Sequence, residues 1–574
     1  MKIENIKNPR FIKDLSNEQL KALASEMREF ILQNVSTTGG HLSSNLGVVE
    51  LTIALAKVFD FSKDAILFDV GHQCYAYKIL TGRAKDFSSL RKLNGISGFQ
   101  SIKESKYDKF EAGHSSTSVG TGMGMAIARD LNNQNFEVIS VIGDGSIGNG
   151  LVYEALNQIG DLQNKQIIIL NDNQMSISQN VGAIHNALDE IRSSKGYNQV
   201  KKNTKRVLNK TKIGNILYKF THKIKTGLKK IYLHKAKIFS DFNIQYYGPI
   251  HGHDFKELIK YLEIAKNQTS PVILHVITQK GKGYSYAEND KNGKYHGIGP
   301  FNLETGALKK INNLPSYSEV ISSFVYNYAK KDKDIICITP AMGYGSKLNI
   351  IAEKLPKQYI DVGIAEEHAL LVANGLALQN KKPIIFIYSS FLQRGYDQII
   401  HDIARMDNHV IFCIDRSGIV PEDGISHQGL FDIPMLSSVP NMVITSPSSA
   451  YEANCLINTA LNANKPFAIR YPKINLKYDY GKPEILKIGS WEVLNEGEDA
   501  TIITYGDFVS KAININDKFA NIRKSLTIVN ARFIKPFDVD LFKQIVKTNK
   551  PIFIYEESMI NGSLGSILSI EIQK

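Results

Sequence analysis

The chain has 574 residues, 43% of them hydrophobic and 22% charged, a globular balance that excludes a disordered chain, a collagen and a small disulfide scaffold. That length accommodates roughly three to four domains of about 150 residues each. The net charge of +13 is local: residues 195–237 carry fourteen Lys and Arg and no acid, which leaves the remainder of the chain at −1.

The amino terminus, MKIENIKNPRFIKDLSNEQL, is polar and bears acids, so no secretory core is expected there. No apolar run nears the roughly 18–20 residues that span a bilayer. The four cysteines, Cys74, Cys337, Cys413 and Cys455, form no CxxC and no paired spacing. Three of them sit in apolar stretches and read as small buried hydrophobes in a reducing compartment, and the expectation is a soluble cytoplasmic protein with no membrane span.

Short apolar, β-branched runs ending in small or acidic residues predict strands at 138–144, 166–172 and 271–278. Further strands are predicted at 334–340, 382–390, 409–415, 467–472, 500–506, 526–531 and 551–557. Continuous apolar strands alternating with amphipathic helices define an α/β protein with doubly wound sheets covered on both faces. Periodicity fades across 285–316, which reads as a linker, and breaks again near 473–490. Three α/β domains are therefore expected, at 1–305, 306–475 and 476–574. The Lys-rich insert 195–237 reads either as an amphipathic helix on an anionic surface or as a solvated loop, and not as a nucleic-acid-binding face spread over the fold.

VISVIGDGSIGNG runs from a predicted strand into a turn containing Gly143, Asp144, Gly145, Gly148 and Gly150. Twenty-nine residues after Asp144, the strand QIIIL ends in Asn171, Asp172 and Asn173. Adjacent parallel strands would deliver a carboxylate and an amide carbonyl to one sheet edge, the hard oxygen ligands that Mg²⁺ takes when phosphate oxygens complete its shell. Glycines beside Asp144 allow backbone N–H groups to approach a diphosphate, and the helix VYEALNQIG would aim its N-terminus at it. With no GKS or GKT present, this is not a P-loop.

The spacing resembles the diphosphate motif of thiamine diphosphate enzymes. From about residue 5 to 565 the chain is similar to the transketolase-like 1-deoxy-D-xylulose-5-phosphate synthase family. The stretches that carry the likeness include GGHLSSNLGVVELT (39–52), FDVGHQCYAYKILTGR (68–83), GHSSTSVGTGMG (113–124) and ILNDNQMSIS (169–178). In the second half they are DVGIAEEHA (361–369), YSSFLQRGYDQIIHDIA (388–404), DRSGIVPEDGISHQG (415–429) and ARFIKPFD (531–538). The resemblance implies thiamine diphosphate and Mg²⁺ as cofactors, pyruvate and D-glyceraldehyde 3-phosphate as substrates, and a homodimer.

Residue by residue, it implies that Asp144 and Asn173 ligate Mg²⁺ with the Met175 carbonyl. His72, Gly113, His114, Ser115, Gly145, Ser146, Asn173 and Tyr284 would line the cofactor, and Phe391 would stack on its pyrimidine. Glu366 matches the family's catalytic acid, and His41 and His427 its proton-transfer histidines. Tyr388, Arg394, Arg416, Asp423, Arg470 and His296 would bind substrate; arginine suits a phosphate because its planar fork binds two oxygens at once. Two departures stand out. The turn reads GDGSIGNG where relatives have a GDGAxTGG-like stretch, and the chain stops at Lys574, so a shortened third domain is expected. The alternatives are another transketolase-type enzyme, or a catalytically impaired remnant of the fold.

Overall fold

The computed structural model describes residues 2–173, 181–183, 186, 188, 237–290, 292–309, 314–421, 424–477 and 481–573. All but the last residue of the Lys-rich insert lie outside them, as do Met175 and Asp423. The chain forms two compact units, Met1–Lys309 and Lys310–Lys574.

The first unit is built on a parallel five-stranded sheet in the order β1-β2-β3-β5-β4. Its strands are β1 (Ala65–Phe68), β2 (Val138–Gly143), β3 (Ile167–Asp172), β4 (Gln245–His251) and β5 (Val272–Ile277). The central strands are apolar for most of their length because both faces are covered. Ile167 and Ile169 join one core with Leu51, Phe61 and Leu258, while Ile168 and Leu170 join another with Val152, Leu156 and Ile159. Five helices do the covering: α1 (Asn17–Thr38), α2 (Val49–Val58), α3 (Ser118–Leu131), α4 (Gly150–Leu162) and α5 (Phe255–Lys266). A capping box opens α1, with Ser16 Oγ accepting from the Gln19 N–H and Gln19 accepting from the Ser16 N–H.

The expected linker at 285–316 is for the most part no linker. Tyr295, Ile298 and Phe301 are buried, and bridges pair Gly40 with Ile298 and Phe301 with Leu308. Aromatic contacts among Tyr284, Tyr295 and Phe301 pin a segment whose Gly, Asn and Asp content reads as a free connection.

The second unit carries two sheets. Seven strands follow the order β15-β10-β11-β9-β8-β6-β7. They are β6 (Ile335–Thr339), β7 (Tyr359–Asp361), β8 (Lys382–Tyr388), β9 (Ile411–Asp415), β10 (Val443–Thr445), β11 (Phe467–Arg470) and β15 (Phe533–Lys535). Four more, β12 (Glu492–Asn495), β13 (Ala500–Thr504), β14 (Leu526–Asn530) and β16 (Ile552–Tyr555), pair in the order β12-β14-β13-β16. The longer helices are α6 (Tyr317–Ala329), α7 (Glu366–Leu378), α8 (Ala450–Leu461), α9 (Phe508–Ala520), α10 (Val539–Lys547) and α11 (Leu564–Gln573).

Two pairings here are antiparallel, β10 with β15 and β12 with β14, so the sheets are parallel except for one edge strand each. A two-residue link after β14 turns the chain back into the larger sheet as β15. One core accordingly runs from Ile336 through Ile444, Ile503 and Ile534 to Leu568. All four cysteines are buried and free, and burial pushes the thiols of Cys74 and Cys337 up to about 12. Among the described residues no helix is long and apolar enough to cross a membrane.

Candidate active site

In the first unit the chemistry gathers at the carboxyl ends of β1, β2, β3 and β5, the edge where open parallel sheets bind ligands. Asp144 follows β2 directly, and its backbone N–H donates to the Asn171 carbonyl at 3.2 Å, which fixes the turn after β2 against the end of β3. Its carboxylate is 4% exposed, and burial, with Asp172 alongside, pushes its pKa well up while Lys280 opposes the shift. Asn173 follows β3. A Cβ at Gly143, Gly148 or Gly150 would meet nothing within 4 Å, so the turn leaves open space beside its backbone. The helix α4 begins at Gly150, with Asn149 Oδ1 accepting from the Leu151 N–H.

A buried carboxylate disfavoured by its surroundings fits a divalent cation. Among the described residues no three His, Cys, Asp or Glu side chains form a metal cluster. A cation here would rely on Asp144, Asn173 and phosphate oxygens, which is how Mg²⁺ is held in phosphate sites.

Two turns come together around the expected diphosphate residues. Ser116 Oγ donates to the Ser146 carbonyl at 2.9 Å, joining Gly113–Ser115 to Gly145–Ser146. Asp69, at the end of β1, accepts from the Ser116 N–H at 2.8 Å and the Ser118 N–H at 3.1 Å. Lys280 follows β5, 8% exposed, with its ammonium pulled down to about 8 by burial against the pull of Asp144 and Asp290.

Three of the expected histidines converge. Ring centroids lie 5.4 Å apart for His41 and His72, 5.1 Å for His72 and His296, and 6.0 Å for His41 and His296. Asn45, fully buried, holds two of them by their backbones, its Nδ2 donating to the carbonyls of His41 (2.6 Å) and His72 (2.8 Å). Nδ1 of His296 is enclosed with no hydrogen-bond partner among the described residues. Desolvation, then Lys280, His72 and His41, depress its pKa well below the ordinary histidine value, so it is neutral at pH 7. Tyr284 donates its hydroxyl to the Leu303 carbonyl at 3.0 Å, and burial pushes its phenol up to about 12.

In the second unit Glu366 opens α7 and is 2% exposed. The Oε2 atom has no hydrogen-bond partner among the described residues; Arg394 Nη1 stands 3.6 Å away. Burial raises this carboxyl's pKa, and the Arg394 charge works against the rise. Tyr388 and Phe391 stack at 5.7 Å, Phe391 meets His427 edge-on at 5.5 Å, and the Arg416 guanidinium lies 4.0 Å from the Tyr388 ring centroid. The Ser426 hydroxyl meets His427 Nδ1 at 2.9 Å. Arg470 is engaged by Asp432, with Nε donating to Oδ2 at 2.9 Å.

Residues that the sequence reading passed over are Asn45, Asp69, Lys280 and Asp432. For Lys280 a signal existed: TQKGKGY follows a predicted strand at the same sheet edge as Asp144. Asn45 and Asp69 hold backbone groups from distant segments, which no local pattern announces.

Residues 314–478 match the transketolase pyrimidine-binding domain and residues 489–574 the transketolase C-terminal domain. Two α/β units with ligand-type residues at strand ends, carrying these segments, define a transketolase-type chain. Residues 3–278 match a family described as 1-deoxy-D-xylulose-5-phosphate synthase. The chain is 47% identical over 99% of its length to the 1-deoxy-D-xylulose-5-phosphate synthase of Geobacillus sp. (strain WCH70), spanning 90% of that protein. With the synthases of Macrococcus caseolyticus and Clostridium acetobutylicum it is 46% identical over 99% of its own length and 91% of theirs. The chain belongs to the 1-deoxy-D-xylulose-5-phosphate synthase family.

Proposed function

We propose that the chain is a thiamine-diphosphate-dependent transferase that condenses pyruvate with D-glyceraldehyde 3-phosphate to 1-deoxy-D-xylulose 5-phosphate and CO₂. The observation that carries this is the likeness at 46–47% identity along 99% of the chain to relatives of that name. When bound, thiamine diphosphate supplies the nucleophilic carbon and the electron sink for decarboxylation. Everything else falls to side chains.

Asp144 and Asn173, with the Met175 carbonyl, hold Mg²⁺. Gly113, His114, Ser115, Gly145 and Ser146 present polar groups to the diphosphate, with His72 and Tyr284 beside them. Glu366 holds a proton for a ring nitrogen of the pyrimidine; its dry position at the head of α7 supports this, because burial favours the protonated acid. Phe391 offers a flat face to the same ring.

Neutral His296 accepts or donates a hydrogen bond to substrate without adding charge, while His41 and His427 move protons at the substrate oxygens. Arg416 and Arg470 bind the acceptor's phosphate, with Tyr388 and Arg394 as further substrate-binding residues, and Asp423 orients a donor hydroxyl or His427. The proposal includes the three-part division 1–305, 306–475 and 476–574, a homodimer and a cytoplasmic location.

Product analysis with pyruvate and D-glyceraldehyde 3-phosphate, with and without thiamine diphosphate and Mg²⁺, tests the reading. Deoxyxylulose phosphate that requires both cofactors and disappears in Glu366→Ala is expected. Cofactor binding without that product would favour another transketolase-type substrate pair or an impaired enzyme, and no cofactor binding would overturn the assignment.

A further inference from the structure

Arg470 ends β11 with only 4% of its surface exposed. Asp432, the first residue of the short helix Asp432–Ser437, accepts from Nε at 2.9 Å and from Nη2 at 3.4 Å. One edge of the guanidinium fork is thereby occupied, and Nη1 has no hydrogen-bond partner among the described residues. A second contact comes from a residue far along the chain. The Tyr505 ring centroid lies 5.5 Å from Arg470 Cζ, within the range of a cation–π contact.

Tyr505 follows β13 and is 2% exposed. Its hydroxyl donates to Glu556 Oε2 at 2.9 Å. Glu556 is itself fixed, accepting from the Gly565 N–H at 2.8 Å and the Leu564 N–H at 3.2 Å in the first turn of α11. The approach is close: a Cβ at Gly565 would come 3.0 Å from Glu556 Oε1. The backbone is tied in as well. Ser446 Oγ donates to the Arg470 carbonyl at 3.2 Å, and Gly506, at φ +61°, packs so tightly on Ser446 that a Cβ would come within 2.7 Å of that Oγ.

We infer that Tyr505 and Glu556, both from the carboxyl-terminal segment, are positioning residues that hold the Arg470 guanidinium in register for the acceptor's phosphate, and so set the enzyme's preference for a phosphorylated aldehyde. Asp432 fixes one edge of the fork, the Tyr505 ring packs beside the guanidinium, and Glu556 fixes Tyr505. The inference rests on the reading of Arg470 as a ligand of that phosphate.

The test compares kcat/KM for D-glyceraldehyde 3-phosphate and for unphosphorylated D-glyceraldehyde in the cofactor-loaded full chain. Arg470→Met reports on the clamp itself and is expected to lower the preference most. Tyr505→Leu is expected to lower the preference about tenfold, through KM for the phosphorylated aldehyde, with little change for glyceraldehyde. Tyr505→Phe keeps the ring and loses only the tether to Glu556, so its preference is expected between that of Tyr505→Leu and the unaltered enzyme; it also serves if the leucine variant does not fold. A parallel fall for both aldehydes in Tyr505→Leu would mean a merely structural role and overturn the inference. So would an unchanged preference in the Tyr505 variants while Arg470→Met loses it. An unchanged preference in Arg470→Met would overturn the clamp and the inference together.

Discussion

Asp69 holds the loop that carries Gly113, His114 and Ser115, and that role can be measured. Its carboxylate is 1% exposed and accepts two backbone N–H groups, from Ser116 at 2.8 Å and Ser118 at 3.1 Å. Ser116 sits at φ +70°, a conformation that a side-chain-bearing residue keeps only when its surroundings over-determine it. A hydrogen bond to a charged group contributes about 1.5–3 kcal/mol, so Asp69→Ala, which strands two buried donors, costs roughly 3–6 kcal/mol in the folded loop. Asp69→Asn retains one acceptor oxygen and turns an NH₂ toward the other donor, for about half that cost. At about 1.4 kcal/mol per tenfold, the Asn variant should bind thiamine diphosphate roughly 10- to 100-fold more weakly if the loop is re-ordered on binding. Calorimetric titration with the cofactor in the presence of Mg²⁺, alongside circular dichroism to confirm folding, gives the number. A folded Asp69→Asn protein with unchanged cofactor affinity would refute the argument that these two bonds set the loop.

Arg394→Gln removes the cation that opposes the rise of the Glu366 pKa. The ionisation of Glu366, identified as the one missing from the pH dependence of cofactor affinity in Glu366→Gln, should therefore move to higher pH in Arg394→Gln and less so in Arg394→Lys. An unmoved profile would show that the 3.6 Å approach carries no coupling. Gly160 lies within α4, where alanine is ordinarily preferred by about 1 kcal/mol, yet a Cβ there would come within 1.8 Å of the Phe242 carbonyl oxygen. Gly160→Ala is expected to destabilise by about 1–3 kcal/mol, read as a lower urea midpoint, and a stabilised variant would contradict the close packing.

Most of the strands that the sequence announced are apolar runs of four or more residues that the fold buries. Ile167–Asp172 and Ile411–Asp415 are apolar for most of their length because each face meets its own core. The strands it did not announce are short or lie at a sheet edge; Ala65–Phe68 is buried throughout and was still missed, being four residues long. Gln245–His251 contains Gly248 and Pro249 and is half exposed, as its place at the sheet edge permits. Val443–Thr445 and Phe533–Lys535 are three residues long, too short for any period to show. The site divides along the same line. Glu366, Asp144 and the histidines sit in contiguous motifs, whereas Asn45, Asp69 and Tyr505 act through partners 27 to 51 residues away, which a linear reading does not connect.

The antiparallel pairing of Ile444 with Lys535 and Thr445 with Phe533 has a consequence for synthesis. Until residues 533–535 have been made, β10 is the outer strand of its sheet, with one row of backbone donors and acceptors open to any passing chain. A nascent or proteolytically clipped polypeptide ending before that point presents a sticky rim, and closing it requires a contact made some ninety residues later in the sequence, a slow, non-local step. Phe533–Lys535 thus acts as a built-in guard strand for the larger sheet. Pieces of the enzyme cut between the two carboxyl-terminal domains inherit an aggregation problem that the intact chain solves by itself.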